Sequence, residues 1–515
     1  MRPVPVLVRE RWFHGWILGL FAIVMLAIAA EPVRAGSTGR DDATSTSHFS
    51  CTLGGRPCGM MSETVEALPD GGTRSTIELR MSFVRSGVAV ATSIEASVTL
   101  AADGSLSAMS HGQASGDAAT RTEWRFERDH VVERRTQSGR TVEARRPRPA
   151  GDWVVSESAI ETARRLGAGG VGRRLLVLDP AHGLQPVART YRLRGDETLA
   201  LSQGPVATEA WEIEEEDGTV TIEHLDRDGR LVSSETSLGP GLGALRVERT
   251  TESLARRAAA GSFPLTEIGT IVPTFESGAR RLDRSGTARY RVVRRQGAEP
   301  LDLPGVASQS VSPSSDPPGL VVEIDPERTS ATEATFERAA HLEATGLLDA
   351  DDPEVRAFAR RHDRRGRPDG ERARALRTAV HRHIRDKNLE TGFGTASDAV
   401  RSRSGDCTEH AVLLAAALRV VGIPSRTVSG LVWVPGNDPR GSFQWHMWTQ
   451  AVIDGRWMDL DPTLGGRRAF HGGHIAVMVG DDGEWNQEAG SRAMLDLIGA
   501  IDIEVLAADP DGERP

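Results

Sequence analysis

The chain lacks a surplus of positive charge: 62 Lys and Arg face 72 Asp and Glu, a formal net charge of −10. Nonspecific nucleic-acid binding needs cations that displace phosphate counterions, so that class of function is excluded. Lysine is nearly absent, Lys387 being the single one. Long apolar runs are lacking as well. The uncharged stretch from Trp16 to Ala30 is shorter than the roughly 20 residues a spanning helix requires. With 39% hydrophobic and 26% charged residues, the composition excludes both a polytopic membrane protein and a mostly disordered chain. Cysteine is scarce, with three in 515 residues.

What is present begins at the amino terminus. Arg2, Arg9 and Arg11 precede the apolar stretch, and Pro32, Val33, Arg34, Ala35 and Gly36 follow it. The pattern reads as a secretory signal peptide over residues 1–35, with Val33 and Ala35 placed like a cleavage site. The alternative is an uncleaved anchor that tethers the protein to a membrane. Either way the bulk of the chain is expected outside the cytoplasm, periplasmic or extracellular. Cys51 and Cys58 could pair in that oxidising setting. Cys407 is then left over, either as a reactive thiol or as an inert buried one.

At roughly 150 residues per domain, the length suggests about three domains. Residues 36–296 are read as a β-rich antiparallel region, alternating with period two over 60–296, as in Ile77, Leu79, Met81 and Phe83 and again in Ile94, Ala96, Val98 and Leu100. These are half-buried strands. Turn residues at Pro69 to Gly72, Asp103-Gly104, Asp217-Gly218 and Asp228-Gly229 favour tight hairpins, so an antiparallel meander is expected. Glu157 to Leu166 is the one stretch with helical character. Asp226 and Asp228 resemble a calcium loop superficially, but its third carboxylate and closing Glu are missing, and a hairpin turn is the better reading. From Gly297 to Gly319 the prolines 300, 304, 313, 317 and 318 suggest a linker or surface crossing, bounded at 297–325. Helical spacing follows, with Leu376, Val380 and Ile384 on one face, and strands return around 425–434, 444–453 and 456–460. Residues 326–505 are thus read as an α+β domain, and 506–515 as a flexible tail.

The chemistry gathers in that domain. Gly405-Asp406-Cys407-Thr408-Glu409-His410 opens a helix, and a helix amino terminus favours thiolate. His446, on a strand in Gln444-Trp445-His446-Met447-Trp448, is the candidate base. Asp461, in Trp457 to Thr463, could orient it from a neighbouring antiparallel strand, fixing the tautomer and leaving the other ring nitrogen for the sulfur. Asp459 should point to the same side and competes for that role.

These blocks, together with Gly422-Ile423-Pro424-Ser425-Arg426, resemble the transglutaminase-like superfamily over roughly 330–475. The resemblance implies a papain-like fold, with Cys407 as nucleophile, His446 as general acid and base, and Asp461 as the residue that orients it. It implies attack on an amide or ester carbonyl, a thioester, and transfer of the acyl group to water or an amine. The backbone N–H of Cys407 is a natural oxyanion donor. Thr408-Glu409 after the cysteine is closer to exported bacterial members than to animal cross-linking enzymes.

Other residues have plainer readings. Glu409 and His410 could line the cleft, but a Glu on a first helical turn is expected at the surface. Trp445, Trp448 and Trp457 are expected in the core, and His381 and His383 on a solvated helix face. His471 and His474 have metal-pair spacing but no thiolate or carboxylate partner in a recognised arrangement, so a loop beside the site is expected. No metal or cofactor is expected. The leading reading is an exported thiol hydrolase or acyltransferase acting on protein or peptide. The competing one is a noncatalytic binding or assembly protein that recognises a partner through its strand region.

Overall fold

The computed structural model describes residues 44–508, apart from 86–87, 116–117, 138, 168–169, 217, 240, 265–268, 277–281, 283–285, 296–300, 333–337, 387–393, 437, 467–468 and 481–496. The signal or anchor segment expected over 1–35 lies outside the described residues. Among the described residues, no helix is long and apolar enough to cross a membrane.

Period-two patterning over the first half of the chain produces one fifteen-stranded sheet. Strands β1 (Thr44–Leu53) to β8 (Arg140–Pro147) each pair with the next, as do β9 (Trp153–Val155) to β15 (Ala244–Thr250). An antiparallel β1 and β15 pairing joins the two runs, and among the described residues of this sheet only β9 with β10 (Arg173–Leu178) runs parallel. Ile77, Leu79, Met81 and Phe83 all face inward. The sheet curls: Val98, Met109, Trp124 and Val131 of the first run share a buried cluster with Val155 and Leu178 of the second. The expected helix forms as α1 (Ala159–Arg165), and α2 (Glu252–Ala259) follows β15. Asp226 serves a turn, its Oδ1 accepting from the N–H groups of Asp228 and Arg230 at 3.0 Å each.

Cys51 and Cys58 are buried free thiols rather than a disulfide. A register shift after Cys51 aims the Cys58 thiol at the Cys51 carbonyl oxygen, 3.7 Å away, instead of at its sulfur. Burial pushes the Cys58 thiol up to about 12, which leaves it chemically quiet.

The linker expected at 297–325 is corrected over its described part. Strands β18 (Gln309–Ser315) and β19 (Pro318–Ile324) form a hairpin there. They belong to a second sheet with β16 (Thr274–Phe275), β17 (Ala288–Arg294) and β25 (Ile501–Ala508). Proline is tolerated because β18 is an edge strand, where the N–H that Pro313 lacks has no ladder partner to lose. The tail expected from 506 is also shortened, since β25 runs to Ala508. Ile501, Ile503 and Val505 alternate into the core, and the strand pairs with β17.

The third sheet has the order β20 (Ser330–Ala331), β23 (Arg456–Leu460), β22 (Ser442–Ile453), β21 (Ser425–Val434), β24 (His474–Gly480). Helix α6 (Cys407–Val420) lies against β21 and β22, and α3 (Pro353–His362), α4 (Asp369–His383) and α5 (Ala396–Ser402) pack on α6, with α4 also reaching β22. The α6 residues from Cys407 to Arg419 are all buried, which fits a helix apolar on every side. Its apolar middle shares a core with Leu376 and Val380 of α4 and with Ala451 and Leu460 of the sheet. A larger core is continuous through all three sheets, running from Phe49 and Trp211 through Tyr290 and Val505 to Phe443, Trp445 and Ile475.

Candidate active site

Cys407 is the first residue of α6, and the local sequence dictates the turn that puts it there. Gly405 has φ +147°, and a Cβ on it would lie 2.5 Å from the Glu409 Cβ, so only glycine fits. Asp406 is the N-cap, accepting from the Thr408 N–H at 2.8 Å, while Glu409 reaches back to the Asp406 N–H at 2.8 Å. This is a capping box. Glu409 therefore is not a surface residue. It is fully buried and accepts a second N–H, from Gly394, at 2.9 Å. Burial, reinforced by the charge of Asp406, pushes its carboxyl well above the usual range.

The β22 strand lies against this first turn. Cys407 shares a buried cluster with Ala411 and with Met447, the neighbour of His446. The Thr449 hydroxyl donates to the Ala411 carbonyl at 3.0 Å. His446 is wholly buried and donates from Nε2 to Asp461 Oδ2 at 2.8 Å. A carboxylate only accepts, so the proton lies on Nε2 and Nδ1 is the basic nitrogen of the neutral ring. The paired strands, as expected, bring the histidine and the aspartate together.

Asp461 is held from every side. Its Oδ1 accepts from the Thr463 and Leu464 N–H groups at 2.7 and 3.1 Å. Arg377 of α4 donates to the carbonyls of Asp461 and Leu464, at 3.2 Å each, and of Gly466 at 3.0 Å. Burial alone would raise this carboxyl, but the charge of His446 and the hydrogen bonds from His446 and His474 hold it well below the usual carboxylate range.

Its competitor is engaged elsewhere. Asp459 Oδ1 accepts from Trp448 Nε1 and Gln450 Nε2 at 2.8 Å each. Its Oδ2 accepts from the Ser308 hydroxyl at 2.7 Å and the Ser308 N–H at 3.2 Å. Trp445, Trp448 and Trp457 are all buried, as expected of large aromatics on strands. His381 and His383 depart from the solvated face expected of them. Each is half-buried and bonded to a backbone carbonyl, His381 to Pro462 at 3.1 Å and His383 to Val400 at 2.9 Å.

His474 is the residue whose place the sequence did not reveal. It opens β24 and brings Nε2 to 3.0 Å from Asp461 Oδ2, the oxygen that His446 also uses. Gly430, opposite His446 in the β21 and β22 register, makes this approach feasible, because a Cβ there would lie 2.1 Å from the Ile475 carbonyl oxygen. The spacing of His471 and His474 was visible, but nothing in it pointed at Asp461. His446, Asp461 and His474 have the donor types of a metal site, their donor atoms lying within 4.8 Å of one another. Both Nε2 atoms are committed as donors to the carboxylate, so a cation would have to displace two protons to enter.

Among solved structures, the chain is similar to a Cytophaga hutchinsonii protein provisionally named a cysteine protease, at 13% identity over 44% of this chain and 87% of that one, TM-score 0.27. It is similar to a β-barrel-like protein of a domain of unknown function from Brucella abortus, at 12% identity over 40% of this chain and 95% of that one, TM-score 0.31. It is also similar to the periplasmic domain of TgpA from Pseudomonas aeruginosa bound to ethylmercury, at 18% identity over 35% and 91%, TM-score 0.24. No curated protein matches the chain. Residues 356–462 match the model of the transglutaminase-like superfamily. The chain is thus a long β-rich region followed by a segment, containing Cys407, His446 and Asp461, that is similar to the transglutaminase-like superfamily over residues 356–462.

Proposed function

We propose that this protein is an exported thiol hydrolase or acyltransferase acting on amide bonds of protein or peptide, with Cys407, His446 and Asp461 as its catalytic triad. The observation that carries this reading is the 2.8 Å hydrogen bond from His446 Nε2 to Asp461, which sets Nδ1 as the base on a strand packed against the helix terminus bearing the thiol. The export part rests on the basic, apolar and small-residue pattern of residues 2–36.

In the proposed reaction, His446 Nδ1 takes the Cys407 proton and the thiolate attacks the amide carbonyl. The Cys407 N–H is one donor to the oxyanion that forms. The tetrahedral adduct expels the amine, which leaves with the proton held on His446, and a thioester remains. Water or an acceptor amine then gives its proton to His446 and attacks the thioester, and the thiol is restored when the acyl group departs. Asp461 holds the imidazole in one tautomer and stabilises the imidazolium at each stage.

The test is the pH dependence of Cys407 alkylation by iodoacetamide in the full chain, read by peptide mass spectrometry. Rapid reaction is expected well below the free-thiol pKa of about 8.5, and at pH 6 a drop of about tenfold or more in His446→Ala. A Cys407 that stays inert in the folded protein, or a variant that matches the wild type, would overturn the reading in favour of a noncatalytic scaffold.

A further inference from the structure

We propose that His474 is a positioning residue of this site: by sharing Asp461 Oδ2 with His446, it fixes the carboxylate in the orientation from which Asp461 aims the catalytic imidazole. This inference rests on the thiol-enzyme reading above and adds a fourth member to the triad.

The hydrogen-bond inventory supports it. A carboxylate has about four acceptor sites, and Asp461 fills four: two backbone N–H groups on Oδ1 and the two histidines on Oδ2. Because Asp461 is ionised and only accepts, His474 must present a protonated Nε2. Its Nδ1 lies 3.0 Å from the His471 carbonyl oxygen and 3.3 Å from the His471 nitrogen, and in the neutral ring, with the proton on Nε2, it accepts the His471 N–H. Burial holds His474 below the usual histidine range despite the opposing pull of Asp461. With both nitrogens committed, His474 is not a second base for the sulfur. It can act only through Asp461.

The surroundings fix the ring as well. Phe470 lies 4.3 Å from it, ring centre to ring centre, and Trp448 meets it edge-on at 5.3 Å. The titratable groups around it are His446 on β22, Asp461 after β23 and His471 on its own loop, and Arg377 reaches the Asp461 carbonyl from α4. Without the His474 donor, Oδ2 keeps one of its two partners and the carboxylate can turn about its last bond. The His446 imidazole then loses its orientation, and thiolate formation at Cys407 moves toward the pH of an ordinary thiol.

The experiment compares the pH profile of iodoacetamide alkylation at Cys407 in the full chain for wild type, His446→Ala, His474→Phe, His474→Asn and His474→Gln, with thermal unfolding of each as the fold control. The Gln amide nitrogen can occupy the place of Nε2, whereas Asn is too short to reach it. His474→Phe and His474→Asn are expected to react about tenfold more slowly at pH 6, with midpoints displaced upward by roughly one pH unit, and His474→Gln to follow the wild type. If His474→Phe does not fold, the Asn and Gln pair carries the comparison. Profiles of the Asn and Gln variants that coincide, whether at the wild-type position or displaced, would overturn the role for His474. A wild-type profile in His446→Ala would instead remove the thiol-enzyme reading and this inference with it, so the two failures are distinguishable.

Discussion

Asp459 and Asp461 stand two residues apart, and their partners divide the work. Asp459 gathers Trp448, Gln450 and Ser308, which makes it a clamp between β22 and the chain upstream of β18. Asp461 gathers two imidazoles. Replacing Asp459 by Asn puts an amide N–H against the Ser308 N–H, at a cost of about 1–3 kcal/mol for a buried donor left without an acceptor. Asp459→Asn should therefore lower the urea midpoint while leaving the pH profile of Cys407 alkylation in place. Asp461→Asn should displace that profile, because a neutral amide cannot stabilise the imidazolium. Equal displacement in both would remove the division. Sequence alternation could not separate the two carboxylates, since it placed both on one side. The deciding partner, Ser308, lies 151 residues from Asp459 in the chain, and no local pattern records it. Glu409 was misplaced for a related reason: a glutamate on a first helical turn is ordinarily solvated, and its burial follows from Gly405 and Gly394 folding over it.

Among the elements, those with strong local signals were legible. The α6 start was readable from Gly405-Asp406-Cys407, and the β22 and β23 strands from the patterns at 444–453 and 456–460. The 297–325 stretch was not, because proline counts as a breaker only where an N–H is needed, and edge-strand status is a property of the assembled sheet. That stretch also helps hold the site: Gln309 donates to the Ala476 carbonyl at 3.0 Å and accepts from its N–H at 2.8 Å, gripping β24 two residues beyond His474. From the neighbouring β17, the Tyr290 hydroxyl donates to the Gly472 carbonyl at 2.6 Å, tying down the His471 to His474 turn. Tyr290→Phe should leave that buried carbonyl unsatisfied and cost about 1–3 kcal/mol. The loss should be local first, with faster hydrogen exchange over residues 471–476 than over α6. Unchanged exchange in that turn would show that the hydroxyl does not anchor it.

Across the whole molecule, the curled sheet encloses charge as well as apolar surface. Its antiparallel meander was legible from hairpin signals, but the β1 and β15 pairing that joins the two runs was not, because it brings together distant segments. Inside, Arg189 is compensated by Asp179 at 3.0 Å and Glu215 at 2.8 Å. Glu157, by contrast, is met by the Ser156 hydroxyl at 2.9 Å, and burial raises its carboxyl from 4.5 to about 8. The linkage follows in sign: between pH 4.5 and 8 the folded chain keeps a proton that the unfolded chain has released, so raising the pH favours unfolding. The Glu157 contribution is most favourable below pH 4.5, weakens by up to about 1.4 kcal/mol per pH unit through the window, and levels off above pH 8. Glu157→Gln mimics the protonated form and removes this dependence. Urea unfolding at pH 5.5 and pH 8.5 should therefore find the variant gaining on the wild type by several kcal/mol at the higher pH. A stability difference that stays constant between the two pH values would mean that Glu157 is ionised in the folded sheet and that a cation or water compensates it there.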